Sequence, residues 1–298
     1  MLPAFGKQNQ FSKMYLFQRV SDLQTYLTTE RVNNRSVGFV PTMGALHAGH
    51  LKLVKRSLAE NQITVASIFV NPTQFNDASD LEKYPRTLGK DLEMLAGVGC
   101  DVVFLPQVAT IYPTDLNTEV TIDFGGLDQV LEGAQRPGHF AGVAQVVNRL
   151  LNIVQPHYLY LGQKDYQQQL IIKRLIAVLQ LPVKVVVVAT ERESDGLAMS
   201  SRNLLLDPEL RPRSVLLQQT LEGAKNRLAA GEPVPEIEKW ALEQLTQPDF
   251  NPEYFSIVNG ENLLPPDPAT LPDLVVACTA VWAGKVRLID NLVLRGSL

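Results

Sequence analysis

Two histidines, His47 and His50, stand in the stretch Met43-Gly44-Ala45-Leu46-His47-Ala48-Gly49-His50. Just before it, Val37-Gly38-Phe39-Val40 has the length and β-branched content of a buried strand. Just after it, Leu51, Val54 and Leu58 fall at helical spacing. The segment reads strand, glycine-containing turn, helix, with both imidazoles where the helix begins. Backbone N–H groups at that end have no intrahelical partner, and the helix dipole there favours negative charge. Such an end suits phosphate. Gly44 and Gly49 are expected to let the backbone approach a nucleotide closely. The two imidazoles would add donors that can neutralise charge building on a triphosphate that reacts at its α-phosphorus.

Three further groups have the right chemistry for the same task. In Gly162-Gln163-Lys164-Asp165, a lysine beside glycine just past an apolar run can reach phosphate oxygens as a compact cation. Met199-Ser200-Ser201-Arg202, in a loop that also holds Gly196, offers two hydroxyls and a guanidinium, as suits a lid over pyrophosphate. Gln74 and Gln168 are uncharged and suit hydroxyl and carboxylate oxygens of a small polar acid, with Met43 and Phe75 as an apolar wall. Taken singly, each group also has a plain reading: a solvated Lys-Asp pair, a polar linker, exposed glutamines, core packing.

The elements that must position these groups follow in order. Ser21-Asp22-Leu23-Gln24 matches a capping box and predicts a helix to about Glu30. Val65–Val70 reads as a second buried strand, stopped by proline in Asn71-Pro72-Thr73-Gln74-Phe75. A helix is expected over Leu88–Ala96 and a strand over Val102–Pro106, while residues 108–140 show little regularity. Val143, Val146, Val147, Leu150, Leu151 and Val154 then mark an amphipathic helix ended by Pro156. Tyr158–Leu161 reads as a strand, a helix runs to about Leu179, and Val183–Ala189 reads as an apolar strand central to the sheet. Strands alternating with helices predict parallel βαβ units, whose ligands sit beyond the carboxyl ends of the strands.

The expected fold class is α/β: a Rossmann-like parallel-sheet N-terminal domain over residues 1–190, with a smaller α+β C-terminal domain over residues 191–298. In the latter, Asp207-Pro208 reads as an N-cap with proline at the first helical position, opening a helical region to about Ala230. A second helix is expected near Pro235, then strands at Tyr254–Val258, Leu274–Ala283 and Val286–Ile289.

A chain of 298 residues exceeds the usual size of one hydrophobic core, which agrees with two domains. Its 45% hydrophobic and 19% charged residues are ordinary for a soluble enzyme. A net charge of −4 leaves no basic footprint for nucleic acid. Cys100 and Cys278 form no CxxC pair, so zinc and redox roles are not expected and a reducing, cytoplasmic setting fits. No apolar run has the length of a membrane span. Residues 1–20 carry Lys7, Lys13 and Arg19 without an apolar signal core and read as a short N-terminal extension.

The sequence His-x-Gly-His after a first strand resembles the nucleotidylyltransferase and class I synthetase superfamily. The longer string from Pro41 to His50, with NPTQF, YPRTLGKDL, RPGHF, GQKDYQQ and DGLAMSSRN following in order, is similar to the pantothenate synthetase family. That resemblance covers nearly the whole chain from about residue 16. It implies an ATP-dependent ligase that joins pantoate to β-alanine through pantoyl adenylate, releasing AMP and pyrophosphate. It implies catalytic roles for His47, His50, Lys164 and Arg202, and ATP contacts from Met43 to His50, Gly162 to Asp165, Glu191, and Met199 to Arg202. The last of these segments resembles a KMSKS-type loop with Arg202 in place of a lysine. Gln74 and Gln168 would hold pantoate, with Asn71, Tyr84 and His139 close to nucleotide and substrate. Asp91 would hold Mg²⁺, and the chain would form a homodimer. Two positions depart from the family pattern: Lys90, where relatives often carry an acid, and Glu191, where a small apolar residue is usual. A nucleotidylyltransferase shares the His-x-Gly-His turn but needs a cationic pocket for a second phosphate. A nucleotide-binding protein without catalysis is the remaining alternative.

Overall fold

The computed structural model describes residues 13–76, 78–267 and 270–298, so most of the expected N-terminal extension lies outside the described residues. Within them, β1 (Tyr15–Phe17) leads to α1 (Val20–Val32), β2 (Val37–Thr42), α2 (Ala48–Glu60) and β3 (Ile63–Ile68). Next come α3 (Ala78–Lys83), α4 (Leu88–Gly97) and β4 (Val102–Phe104). The stretch without clear pattern holds only the short α5 (Val108–Ile111) and α6 (Leu131–Gln135). α7 (His139–Val154), β5 (Tyr158–Gly162), α8 (Tyr166–Val178) and β6 (Lys184–Val188) complete the first half.

These six strands form one parallel sheet in the order β1-β4-β3-β2-β5-β6. Each helical crossover covers a face, so side chains on both sides of a central strand are buried. Leu23 and Leu27 of α1 share a core with Phe39, Val65 and Leu159, together with the apolar stripe of α7 and the buried residues of α8. On the other face Val40, Ala66 and Tyr160 pack with Leu53 and Val54 of α2 and Leu95 of α4. The chain leaves β2 on one side for β3 and β4, then returns on the other for β5 and β6. The crevice between the ends of β2 and β5 is therefore the switch point at which open α/β sheets bind ligands.

Two details differ from the sequence reading. β6, expected at the centre, is an edge strand. Val185 packs into one core and Val186 into the other, so its apolar run records helices on both faces and not a central place. The capping box at Ser21 does not form. Helix α1 starts at Val20, its N-cap Arg19 makes no side-chain cap, and the Ser21 hydroxyl donates to the Asp22 carboxylate instead.

The second half holds α9 (Leu210–Arg213), α10 (Leu216–Ala229) and α11 (Val234–Leu245), then β7 (Phe250–Asn259), β8 (Val275–Ala283) and β9 (Val286–Arg295). The helical region expected from Asp207 to Ala230 is thus two helices. The N-cap of the first is Glu209 and not the expected Asp207, which stands three positions before Leu210 and accepts from the Glu209 amide in a turn ahead of the helix. The three strands are antiparallel in the order β7-β8-β9. Phe255, Ile257, Val275 and Ala277 pack on Leu217, Leu221, Ile237 and Ala241 of α10 and α11. Val258, Val276 and Cys278 turn the other way and join the core of the parallel sheet. This small sheet thereby stands over the carboxyl end of the large one.

Candidate active site

The turn from β2 to α2 is built around its two histidines. His47 is the N-cap of α2, in extended backbone, and its Nδ1 accepts from the Gly49 amide at 3.2 Å. The His47 amide donates to Nδ1 of His50 at 3.4 Å, so each side chain answers an otherwise orphaned helix N–H. The rings lie 4.1 Å apart between centroids. Burial pushes His47 down to about 3, with His50 and Lys164 adding to the effect. Burial followed by Lys164 pushes His50 down to about 4. Both imidazoles are thus neutral near neutrality. With Nδ1 accepting, the proton sits on Nε2, and each ring presents an N–H donor without a charge. Each ring therefore offers a hydrogen-bond donor, and the cationic charge near them belongs to Lys164.

Asp91, expected to hold Mg²⁺, has another task. It is fully buried on α4, and its Oδ2 accepts from the Ala45 amide at 3.0 Å while Oδ1 accepts from the Leu46 amide at 2.8 Å. The Thr87 hydroxyl donates to Oδ1 as well, at 3.0 Å. A carboxylate so engaged does not fit a magnesium ligand, and no cluster of three or more acidic, His or Cys residues suited to a metal ion occurs among the described residues. The glycines serve the same architecture. Gly44 has φ of +80°, and a Cβ there would lie 3.0 Å from Asp91 Oδ2; a Cβ on Gly49 would lie 2.9 Å from the His47 ring. Both make room for a neighbouring side chain, where the sequence suggested room for a ligand. Ala45 and Leu46 are buried beneath the turn and Ala48 is exposed beside it.

Lys164 follows β5 across the switch point, and its ammonium has no hydrogen bond or ion pair among the described residues. Its backbone is held from the C-terminal sheet: Nδ2 of Asn291 donates to the carbonyls of Gln163 at 3.1 Å and Lys164 at 2.7 Å. Gln163 does not line the cavity; its side chain donates to Oδ1 of Asn291 at 3.3 Å. Asp290 next door pairs with both Nη atoms of Arg192, at 2.7 and 3.1 Å. The loop of Met199 to Arg202 docks on the histidine turn. The Ser201 hydroxyl donates to the Ala45 carbonyl at 3.0 Å, Ser200 caps a short turn by accepting from the Arg202 amide, and Arg202 pairs with Asp80 at 3.1 Å. The Met199 amide donates to the Glu191 carbonyl, and the Glu191 carboxylate pairs with Lys52 on α2 at 2.8 Å. That pair gives the Glu191 side chain a partner on α2.

On the substrate side, Asn71 is buried and fully engaged. It donates to the Gly142 carbonyl and to Gln74 Oε1, both at 3.2 Å, and its Oδ1 accepts from Tyr112 at 2.8 Å. It positions Gln74, whose Nε2 rests on Met43 Sδ at 3.3 Å. Tyr84 is buried, edge-on to Phe75 at 5.7 Å and with the Arg202 guanidinium 6.0 Å from its ring centre. His139, at the start of α7, bonds the Gln74 carbonyl through Nδ1 at 2.8 Å. On α8 the neighbours Gln167 and Gln168 divide the work. Gln167 is buried and donates to the Leu127 and Val130 carbonyls, whereas Gln168 lines the cavity with no side-chain bond among the described residues.

One cavity of about 680 Å³ brings together His47, His50, Lys164, Asp165, Gln74, Gln168 and the Met199–Arg202 loop. Several residues at it carry no role in the sequence reading. Arg287 of β9 bonds Glu132 of α6 at 2.6 and 2.9 Å and also Glu253 of β7 at 2.7 Å, and the Tyr254 phenol donates to Glu132 at 2.6 Å. Arg136, just past α6, lines the cavity too. The string holding Arg136 is among the matched segments, whereas nothing local to Arg287 signals a partner 155 positions away.

A family model described as Pantoate-beta-alanine ligase matches residues 15–293. The chain belongs to the pantoate–β-alanine ligase family. It is 44% identical over 280 residues to pantothenate synthetase of Bacteroides fragilis, covering 94% of this chain and 98% of that one. It is 43% identical to that of Moorella thermoacetica, covering 94% and 99%. The crystal structure of pantothenate synthetase from Thermus thermophilus superposes with a TM-score of 0.88 at 43% identity, over 95% of this chain and all of that one. The pantoate–β-alanine ligase of Francisella tularensis, complexed with beta-gamma ATP and beta-alanine, gives 0.74 at 32% identity, over 95% and 98%. As a member of this family the chain is a ligase with ATP among its substrates.

Proposed function

We propose that the cavity condenses pantoate with β-alanine in two steps. Pantoate's carboxylate attacks the α-phosphorus of ATP, forming pantoyl adenylate and expelling pyrophosphate. The amine of β-alanine then forms a C–N bond to the activated carbonyl as its bond to AMP breaks, and the amine loses a proton. The observation that carries this reading is the convergence at the switch point of two neutral imidazole donors, one unpaired ammonium and one unpaired amide. The imidazole N–H groups of His47 and His50 and the charge of Lys164 face developing negative charge at the phosphates without needing to reorganise. Arg202 exchanges Asp80 for phosphate, and Ser200 and Ser201 close over pyrophosphate with it. Adenine rests against the backbone from Gly162 to Asp165 and at Glu191. Gln74 and Gln168 hold pantoate's oxygens, with Met43 as an apolar wall. Asn71 and His139 fix the Gln74 turn, and Tyr84 backs Arg202.

Magnesium accompanies ATP through the phosphates themselves, since Asp91 is committed to the backbone. We also place the division between an N-terminal and a C-terminal domain near Thr190, past the last parallel strand. A homodimer in the cytoplasm follows from the family resemblance, with two free buried cysteines in keeping with a reducing compartment. Purified protein with ATP, Mg²⁺ and pantoate should release pyrophosphate, and steady turnover should require β-alanine. Pyrophosphate release that ignores pantoate would overturn the reading.

A further inference from the structure

Arg136 is a cation whose neighbouring acids are already taken. Its guanidinium lines the cavity, half-buried, and its one hydrogen-bond partner among the described residues is His139, whose Nε2 accepts from Nη1 at 3.3 Å. The other end of that ring is fixed, because Nδ1 donates to the Gln74 carbonyl at 2.8 Å. The resulting tautomer leaves Nε2 as an acceptor, so His139 aligns Arg136 and ties it to the turn that carries Gln74. Glu132 is claimed by Arg287 and Tyr254, Glu253 by Arg287 and Trp282, and Asp80 by Arg202. Burial and the nearby charge of Arg202 both work against the cationic form of Arg136. A guanidinium has five N–H donors, so most of its bonding capacity awaits an anion. Lys83 and Lys285, also at the cavity, are exposed and lack this enclosure.

We propose that Arg136 binds the carboxylate of β-alanine, an assignment that rests on the ligase reading above. Two substrate carboxylates compete for it, and their chemistry separates them. Pantoate's carboxylate is the nucleophile of the first step, and a paired guanidinium would withdraw the electrons it must donate. It also has to lie toward the α-phosphorus, beside His47, His50 and Lys164. The β-alanine carboxylate breaks and forms no bond, so it serves only as a handle. The tie from Arg136 through His139 to Gln74 places that handle beside pantoate, as attack on the acyl carbon requires. A handle bound equally in ground and transition states acts on KM more than on kcat.

The test compares wild type with Arg136→Gln and Arg136→Lys in two assays. Pantoate-dependent exchange of pyrophosphate into ATP, measured without β-alanine, reports adenylation and an intact fold. Full turnover reports KM for β-alanine and for 3-aminopropanamide, which lacks the carboxylate. We expect Arg136→Gln to retain exchange, to raise the β-alanine KM by about thirtyfold or more, and to lose the preference for β-alanine over the amide. Arg136→Lys, which keeps the charge but not the fork, should fall between. Exchange retained with an unmoved β-alanine KM, or exchange lost in step with turnover, would overturn the assignment. A wild-type chain with no pantoate-dependent exchange would overturn the ligase reading and this assignment with it.

Discussion

His47 and His50 show how burial sets a residue's chemistry. Held well below the ordinary histidine value of about 6.5, each accepts from backbone at Nδ1 and donates from Nε2. In the adenylation proposed above, their contribution is directional hydrogen bonding, with Lys164 supplying charge. His50→Ala should slow adenylation by about a hundredfold with the fold intact, as loss of a preorganised transition-state donor does; near-normal adenylation in a folded variant would remove that role. The same burial has a cost at low pH. His139 is also pushed down to about 4, by burial first and Arg136 second. In all three the folded value lies below the unfolded one, so the unfolded chain takes up protons first as pH falls. Their contribution to stability is complete above about pH 6.5 and is lost as pH drops toward 4. The melting temperature should fall more steeply between pH 6.5 and 4.5 than between 8 and 6.5, and His139→Gln should flatten that slope. An unchanged slope would mean that other groups govern acid sensitivity.

At the scale of elements, the site is a β2–α2 turn clamped from α4. Asp91→Asn leaves one carbonyl oxygen where two carboxylate oxygens now meet the Ala45 and Leu46 amides. Stability to urea should fall by about 1–3 kcal/mol for the amide left without an acceptor, adenylation should slow, and the Mg²⁺ concentration for half-maximal rate should not move. A shifted Mg²⁺ requirement at unchanged stability would restore the metal role. This turn was legible in the sequence because strand, glycine and helix signals are local and consecutive. The clamp was not, because a carboxylate near a phosphate site looks the same whether it faces metal or backbone. Strand order escaped for a related reason: the apolar run of β6 reports two covered faces, and being an edge depends on what pairs beside it. The positions of Gln74 and Gln168 past strand ends were readable, whereas the commitment of Asn71 to Gly142 and Tyr112 is visible only once α7 packs on the turn.

Across the whole molecule, the small antiparallel sheet completes the cavity and supports it. Asn291 of β9 holds the backbone at Lys164, and Arg287 links α6 to β7 through Glu132 and Glu253. Arg287 and Glu132 are separated by 155 positions and both are largely withdrawn from solvent. Removing one member strands the opposite charge, so Arg287→Ala should cost about 3–5 kcal/mol, read as a lower urea midpoint. A cost below about 1 kcal/mol, the range of exposed pairs, would show that the network does not join the two sheets energetically.

In the proposed first step pantoate's own carboxylate takes the adenylyl group. Pantoate labelled with ¹⁸O in the carboxylate, incubated with ATP, Mg²⁺ and β-alanine, tests it most directly by mass spectrometry of the products. One ¹⁸O per turnover in the phosphate of AMP is the predicted result, since the acyl–oxygen bond breaks in the second step and the oxygen leaves with AMP. Label in orthophosphate, or AMP without label, would show that the carboxylate is not adenylylated.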